Sequence, residues 1–239
     1  MKKLSLIALT SILVFTSYAA NAAIALDRTR IIYNGQDKSI SLNISNENKT
    51  LPYLAQAWIE NEQQQKVTTP LVATPPVQRV EAGKKSAVRI SATPEALKLP
   101  QDRESLFYFN LREIPPRSEK SNVMQIALQT KIKLFYRPEG ITPATGQIWQ
   151  EQLVLHKTAQ GFRLENPTPY YITVVGLAEK GKSSADSNFQ PLMVAPKSSA
   201  ELKSASFTAP VLTYINDYGG RPELSFSCSG SICRAAKTI

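Results

Sequence analysis

Apolar and polar residues alternate along most of this chain with a period of two, the period of a strand that buries one face. The clearest run covers residues 122–137, N-V-M-Q-I-A-L-Q-T-K-I-K-L-F-Y-R. Met124, Ile126 and Leu128 alternate with Gln125, Ala127 and Gln129, and Lys131, Lys133 and Arg137 follow. Read as one strand, the run reaches roughly 50 Å at about 3.3 Å per residue, more than one small sandwich needs. The excess implies that part of the strand lends its apolar face to a partner protein.

Shorter runs of the same kind precede it. The pattern over 23–33 stops at Asn34-Gly35, a tight-turn pair. Alternation returns over 39–45, over 53–59 and near 86–91, with Pro75-Pro76 between the last two. Residues 93–100 read as a connection with a turn of helix, and 104–114 as an aromatic-rich strand stopped by Pro115-Pro116. No helix-period segment is present. Short strands at this density predict an immunoglobulin-sized sandwich. The pattern breaks at 138–146, P-E-G-I-T-P-A-T-G, which reads as a linker. Strands resume over 152–156, 161–165, 170–178, 189–194, 200–204, 212–216 and 223–227, enough for a second, smaller sandwich. The expected fold is all-β, with two immunoglobulin-like β-sandwich domains over 23–140 and 141–239.

The first 22 residues stand apart. Lys2 and Lys3, an apolar run over 4–15 and Ala20-Asn21-Ala22 form a secretory signal peptide with its cleavage site. The run is too short to span a bilayer comfortably, and no later stretch is long and apolar enough. The mature chain is therefore expected to be exported and soluble, without membrane insertion. Its removal takes the formal charge from +9 to +7. The remaining basic residues are scattered, which argues against nucleic acid and for cations that grip particular carboxylates. In an exported chain, Cys228 and Cys233 read as a disulfide; a redox pair or half a metal site are the alternatives.

Motifs for catalysis are weak. Gly176-Leu177-Ala178-Glu179-Lys180-Gly181-Lys182-Ser183 fits the phosphate-loop pattern, but no helical periodicity follows it. It reads as a basic loop, and an exported enzyme using Lys182 is the alternative class. The lone histidine, His156, has no nucleophile elbow to serve. No catalytic residue, metal or cofactor is assigned. Arg30 and Lys133 are candidates for holding a carboxylate such as a chain terminus. Spacing alone reads both as surface charges. Glu104, Arg137 and Asp217 would form an interdomain ion network if the fold brings them together.

The stretch L-P-Q-D-R-E-S-L-F-Y-F-N-L-R-E-I-P over 99–115 resembles the signature of the periplasmic pilus chaperones. The resemblance extends from L-D-R-T-R at 26–30, through 125–138, to Y-I-N-D-Y-G-G-R-P at 214–222, and so covers nearly all of the mature chain. It implies two domains in a boomerang with a cleft between them. It implies that Arg30 and Lys133 anchor the C-terminal carboxylate of a pilus subunit, the tip adhesin included. Met124, Ile126 and Leu128 would enter the subunit's open groove, with no ATP required. Glu104, Arg137 and Asp217 match the interdomain ion network. An outer-membrane usher is the second implied partner, with Pro75, Pro76 and Arg89 as its candidate contacts. Whether the free chain self-associates to hide its apolar strand is left open by the sequence. The short loop over 115–122 resembles that of the subclass serving rod-like pili. Met124 departs from the branched aliphatic residue common at its position, and 179–188 matches nothing fixed in the family. A structural pilus subunit or adhesin is a further alternative, but such a chain would need a donated strand, and this one has a long strand of its own.

Overall fold

The computed structural model describes residues 22–120, 122–182 and 186–236. Apart from Ala22, the expected signal peptide lies outside the described residues. The run over 23–33 is two strands, β1 (Ile24–Leu26) and β2 (Arg30–Asn34), in opposite sheets. The chain crosses between them at 27–29, where Asp27 holds Arg28 and receives both the backbone and side-chain N–H of Asn43. The trace of this crossing in the sequence is a phase slip. Ile24 and Leu26 point inward on even numbers, Ile31 and Tyr33 on odd ones.

The first sandwich continues with β3 (Ser39–Asn46), β4 (Tyr53–Glu60), β5 (Lys66–Val67), β6 (Leu71–Thr74), β7 (Val77–Val80), β8 (Lys85–Ala92), β9 (Ser105–Ile114) and β10 (Gln129–Arg137). One sheet runs β1-β3-β8-β6; the other runs β2-β10-β9-β4-β5, with β7 also on β4. β10 is antiparallel to β9 and parallel to β2. Inward residues of both sheets, among them Tyr33, Leu42, Ile90, Phe109 and Leu134, form one core. The connection at 93–100 contains a 3₁₀ turn over Pro94–Lys98.

The second sandwich is built from β11 (Val154–Thr158), β12 (Gly161–Asn166), β13 (Ile172–Glu179), β14 (Leu192–Val194), β15 (Ser198–Lys203), β16 (Pro210–Ile215), β17 (Glu223–Ser229) and β18 (Ile232–Ala235). Its strands follow one path, β14-β13-β16-β17-β18-β11-β12-β15. β17 makes the path a sandwich: residues 223–225 pair with β16, and residues 226–229 with β18. Phe162, Leu164, Leu212 and Cys233 lie in the second core. Cys228 and Cys233 stand opposite one another on β17 and β18 and are disulfide-bonded. The phosphate-loop match begins inside β13 and turns at 179–182, where the Lys182 N–H meets the Glu179 carbonyl; Ser183 lies outside the described residues.

The long strand is shorter than its sequence pattern. β10 begins at Gln129, opposite Arg112 of β9; one further backbone bond follows, from the Glu113 N–H to the Leu128 carbonyl at 3.0 Å, and beyond it the Gln125 side-chain amide donates to the Pro116 carbonyl at 2.6 Å. β9 then ends and runs into Pro115-Pro116, which have no N–H to donate. Residues 123–128 therefore lack a ladder partner and are not strand. The expected single strand over 122–137 is a strand over 129–137 preceded by an unpaired segment.

Candidate functional site

β10 carries two different faces. On even numbers, Leu134 and Tyr136 are buried in the first core and Ile132 packs against it. Met124, Ile126 and Leu128 continue the same parity past the end of the sheet, where nothing covers them: they are 85 %, 66 % and 44 % exposed. The apolar stripe thus outruns the core it belongs to. On odd numbers burial rises along the strand. Lys131 is exposed, Lys133 is half-buried, and Phe135 and Arg137 are buried. The cover comes from the second sandwich, where Tyr171 packs on Phe135 with ring centroids 5.5 Å apart. Lys133 therefore stands where the sheet face emerges from beneath the other domain.

Arg30 of β2 is the Cα partner of Lys133 in the parallel ladder, so two cations 103 positions apart in the chain lie side by side. Their neighbours are already paired. Lys131 bridges Glu60 at 2.6 Å, and Arg28 bridges Asp27 at 2.8 Å. Among the described residues, Lys133 has no ion pair. Arg30 donates one hydrogen bond, from Nη1 to the Ile215 carbonyl at 3.1 Å, while its buried Nε meets no acceptor. Burial lowers the Lys133 pKa, and the charge of Arg30 lowers it further; burial also lowers that of Arg30. A carboxylate placed against the pair would satisfy Nε and relieve both costs.

Glu104, Arg137 and Asp217 come together. Arg137 donates from Nε and Nη2 to Glu104 at 2.9 and 2.7 Å, and from Nη1 and Nη2 to Asp217 at 2.7 and 3.2 Å. The second Glu104 oxygen accepts the Tyr171 N–H at 2.8 Å. Two carboxylates thus share one guanidinium across the domain junction. Burial pushes the Glu104 carboxyl up to about 7, against the pull of Arg137, and the second carboxylate adds to the rise. A further bridge, Lys197 to Asp102 at 2.6 Å, spans the same junction.

A cleft of about 740 Å³ opens between the sandwiches, lined by Arg28, Arg30 and Asp217 together with residues 142–150, Asn216 and Tyr218. Sequence reasoning missed the lip over 216–220. Its signal was Asn-Asp-Tyr-Gly-Gly, a turn sequence with a large aromatic at its tip. The usher candidates lie on the first sandwich: Arg89 faces Thr74 across β8 and β6, beside Pro75-Pro76, and is exposed. His156 bonds Glu165 at 2.6 Å in the second sandwich and is not part of the cleft lining. Among the described residues, no cluster of three or more His, Cys, Asp or Glu is placed to hold a metal, and no helix is long and apolar enough to cross a membrane.

Residues 23–142 match the family described as "Pili and flagellar-assembly chaperone, PapD N-terminal domain", and residues 148–226 match "Pili assembly chaperone PapD, C-terminal domain". The chain belongs to the pilus assembly chaperone family. It is 60 % identical to the chaperone protein PapD of Escherichia coli over 232 residues, 97 % of each chain. Among solved structures it resembles the periplasmic chaperone SfaE, with a TM-score of 0.68 and 32 % identity over 84 % of this chain and 98 % of that one. A chaperone–pilin pair from Salmonella enterica, SafB with SafA, shares the fold at a TM-score of 0.74 and 24 % identity, covering 88 % of this chain and 98 % of that one. Its relatives carry chaperone names.

Proposed function

We propose that this chaperone captures pilus subunits, the tip adhesin among them, in the periplasm by lending them residues 123–128 as a missing strand. The observation that carries the reading is the apolar stripe of β10, which outruns its own core and leaves Met124, Ile126 and Leu128 uncovered beside an unpaired backbone. A subunit sandwich that lacks one strand has an open groove and a free edge, and both match what this segment offers. Burying three apolar side chains at about 1.5–3 kcal/mol each gives roughly 5–9 kcal/mol gross, from which association costs subtract. Arg30 and Lys133 receive the subunit's C-terminal carboxylate and so fix the register. A slip of one residue would turn the three apolar side chains away from the groove.

In this reading the segment leaves the subunit when a subunit-borne strand displaces it at an outer-membrane usher, which contacts Pro75, Pro76 and Arg89. The signal peptide over 1–22 is cleaved on export, and the domains divide at about residue 140. Glu104, Arg137 and Asp217 hold the cleft at its working angle. No catalysis is involved.

The test is periplasmic co-expression with a pilus subunit of the same gene cluster, followed by pull-down. The wild type is expected to recover subunit one-to-one, and Arg30→Ala and Lys133→Ala to lose it. A folded wild type that captures no subunit would overturn the reading. Capture unaffected by both substitutions would remove the anchor and leave strand donation alone.

A further inference from the structure

The lip of the cleft is a rigid loop with an unused aromatic at its tip. Asn216 holds it from within: its Oδ1 accepts the N–H groups of Tyr218 and Gly220, its carbonyl accepts the Gly219 N–H, and its own N–H meets the Gly220 carbonyl. Asp217 fastens the loop to Arg137 by two hydrogen bonds. Gly219, at φ +84°, presses against the first sandwich so closely that a Cβ there would lie 2.6 Å from the Thr29 Oγ1. Thr29 in turn precedes Arg30. The loop is therefore clamped to both domains, yet the Tyr218 side chain between the clamps is 96 % exposed.

A clamped loop that leaves a large aromatic in water presents contact area at little further entropic cost, the property that enriches tyrosine at binding surfaces. Tyr218 lines the same cleft as Arg30. We propose that Tyr218 is a partner-contact residue that covers an apolar or aromatic side chain in the C-terminal segment of a bound pilus subunit. This rests on the carboxylate-anchor reading above. Charge complementarity commits the cleft to that occupant. Arg28 is neutralised by Asp27 and Arg137 by Glu104 and Asp217, so Arg30 is the free cation of the cleft lining; Lys133 lies beside it on β10, outside that lining, and the two draw the chain terminus inward. The residues just before the terminus then pass the lip, where the tyrosine ring closes over a side chain and its hydroxyl is free to donate to a backbone carbonyl.

The experiment uses purified complexes of the mature chaperone with a pilus subunit of the same gene cluster. Subunit transfer to an excess of tagged wild-type chaperone is followed in time. Tyr218→Ala is expected to speed transfer about tenfold, in the range for loss of one aromatic contact, and Tyr218→Phe to stay near wild type. Replacing the subunit's last apolar or aromatic side chain by alanine should speed transfer from wild type but add little with Tyr218→Ala, because the two changes remove one contact. Wild-type rates with Tyr218→Ala, or fully additive effects, would overturn the proposal. Arg30→Ala and Lys133→Ala in the same assay separate the two readings. If their complexes form and persist like wild type, the anchor fails; if they are lost while Tyr218→Ala behaves as wild type, only the lip contact fails.

Discussion

Among the described residues, Lys133 is a cation without a counter-charge, and its chemistry is set by that. Burial and Arg30 depress its pKa, so in the free chaperone it loses its proton below the usual lysine range near 10.5. A bound carboxylate raises the pKa again, so capture takes up a proton. Capture is therefore expected to be flat near neutral pH and to weaken as pH rises through the depressed Lys133 value. A titration of subunit affinity against pH checks this, and Lys133→Arg should flatten the alkaline limb. Lys133→Met should raise the melting temperature of the free chain while abolishing capture, because it removes a charge that only the partner compensates. None of this was legible from the spacing of the two cations. Arg30 and Lys133 became neighbours only through the parallel pairing of β2 with β10, which no local pattern reveals. The resemblance to the pilus chaperones named both residues; the ladder places them side by side.

At the scale of elements, periodicity found the longer strands, missed short ones such as β7 and β18, and misplaced two boundaries, each for a reason outside the local pattern. The run over 23–33 divides because a strand can change sheets without losing its alternation, and only the phase slip records it. The run over 122–137 is truncated because its neighbour reaches Pro115-Pro116, so alternation persists where pairing cannot. The unpaired part has a clear consequence. Ile126→Asp is expected to abolish subunit capture while shifting the melting temperature by no more than about 2 °C, as an exposed position in a chain of this size should. Gly219→Ala is different. Its positive φ and its contact with Thr29 make it strained wherever the side chain turns. We expect a loss of roughly 1–3 kcal/mol in denaturant unfolding, together with weaker capture.

The two sandwiches act as one molecule through the junction around Arg137. Removing that guanidinium would leave two carboxylates without their shared counter-charge, so Arg137→Ala is expected to cost about 3–5 kcal/mol in denaturant unfolding. The network also gives a pH signature. Glu104 titrates at about 7 in the folded chain against an ordinary 4.5, so the folded state holds its proton more tightly. That contribution to stability is complete below the ordinary value and is lost as pH rises through about 7. Melting curves between about pH 5 and 8 should show wild type losing ground to Glu104→Gln as pH rises. The two-sandwich plan was readable from strand rhythm and the linker at 138–146. The lip over 216–220 and the graded burial along β10 were not, because both arise where the sandwiches meet.

The most direct measurement is amide hydrogen exchange over residues 123–128, in the free chaperone and in its complex with a pilus subunit. These amides have no ladder partner in the free chain, so they should exchange fast and become strongly protected on capture, with alternate positions along the segment protected as in a paired strand. Unchanged exchange over 123–128 in a stable complex would mean that the subunit is held elsewhere, and strand donation would be wrong.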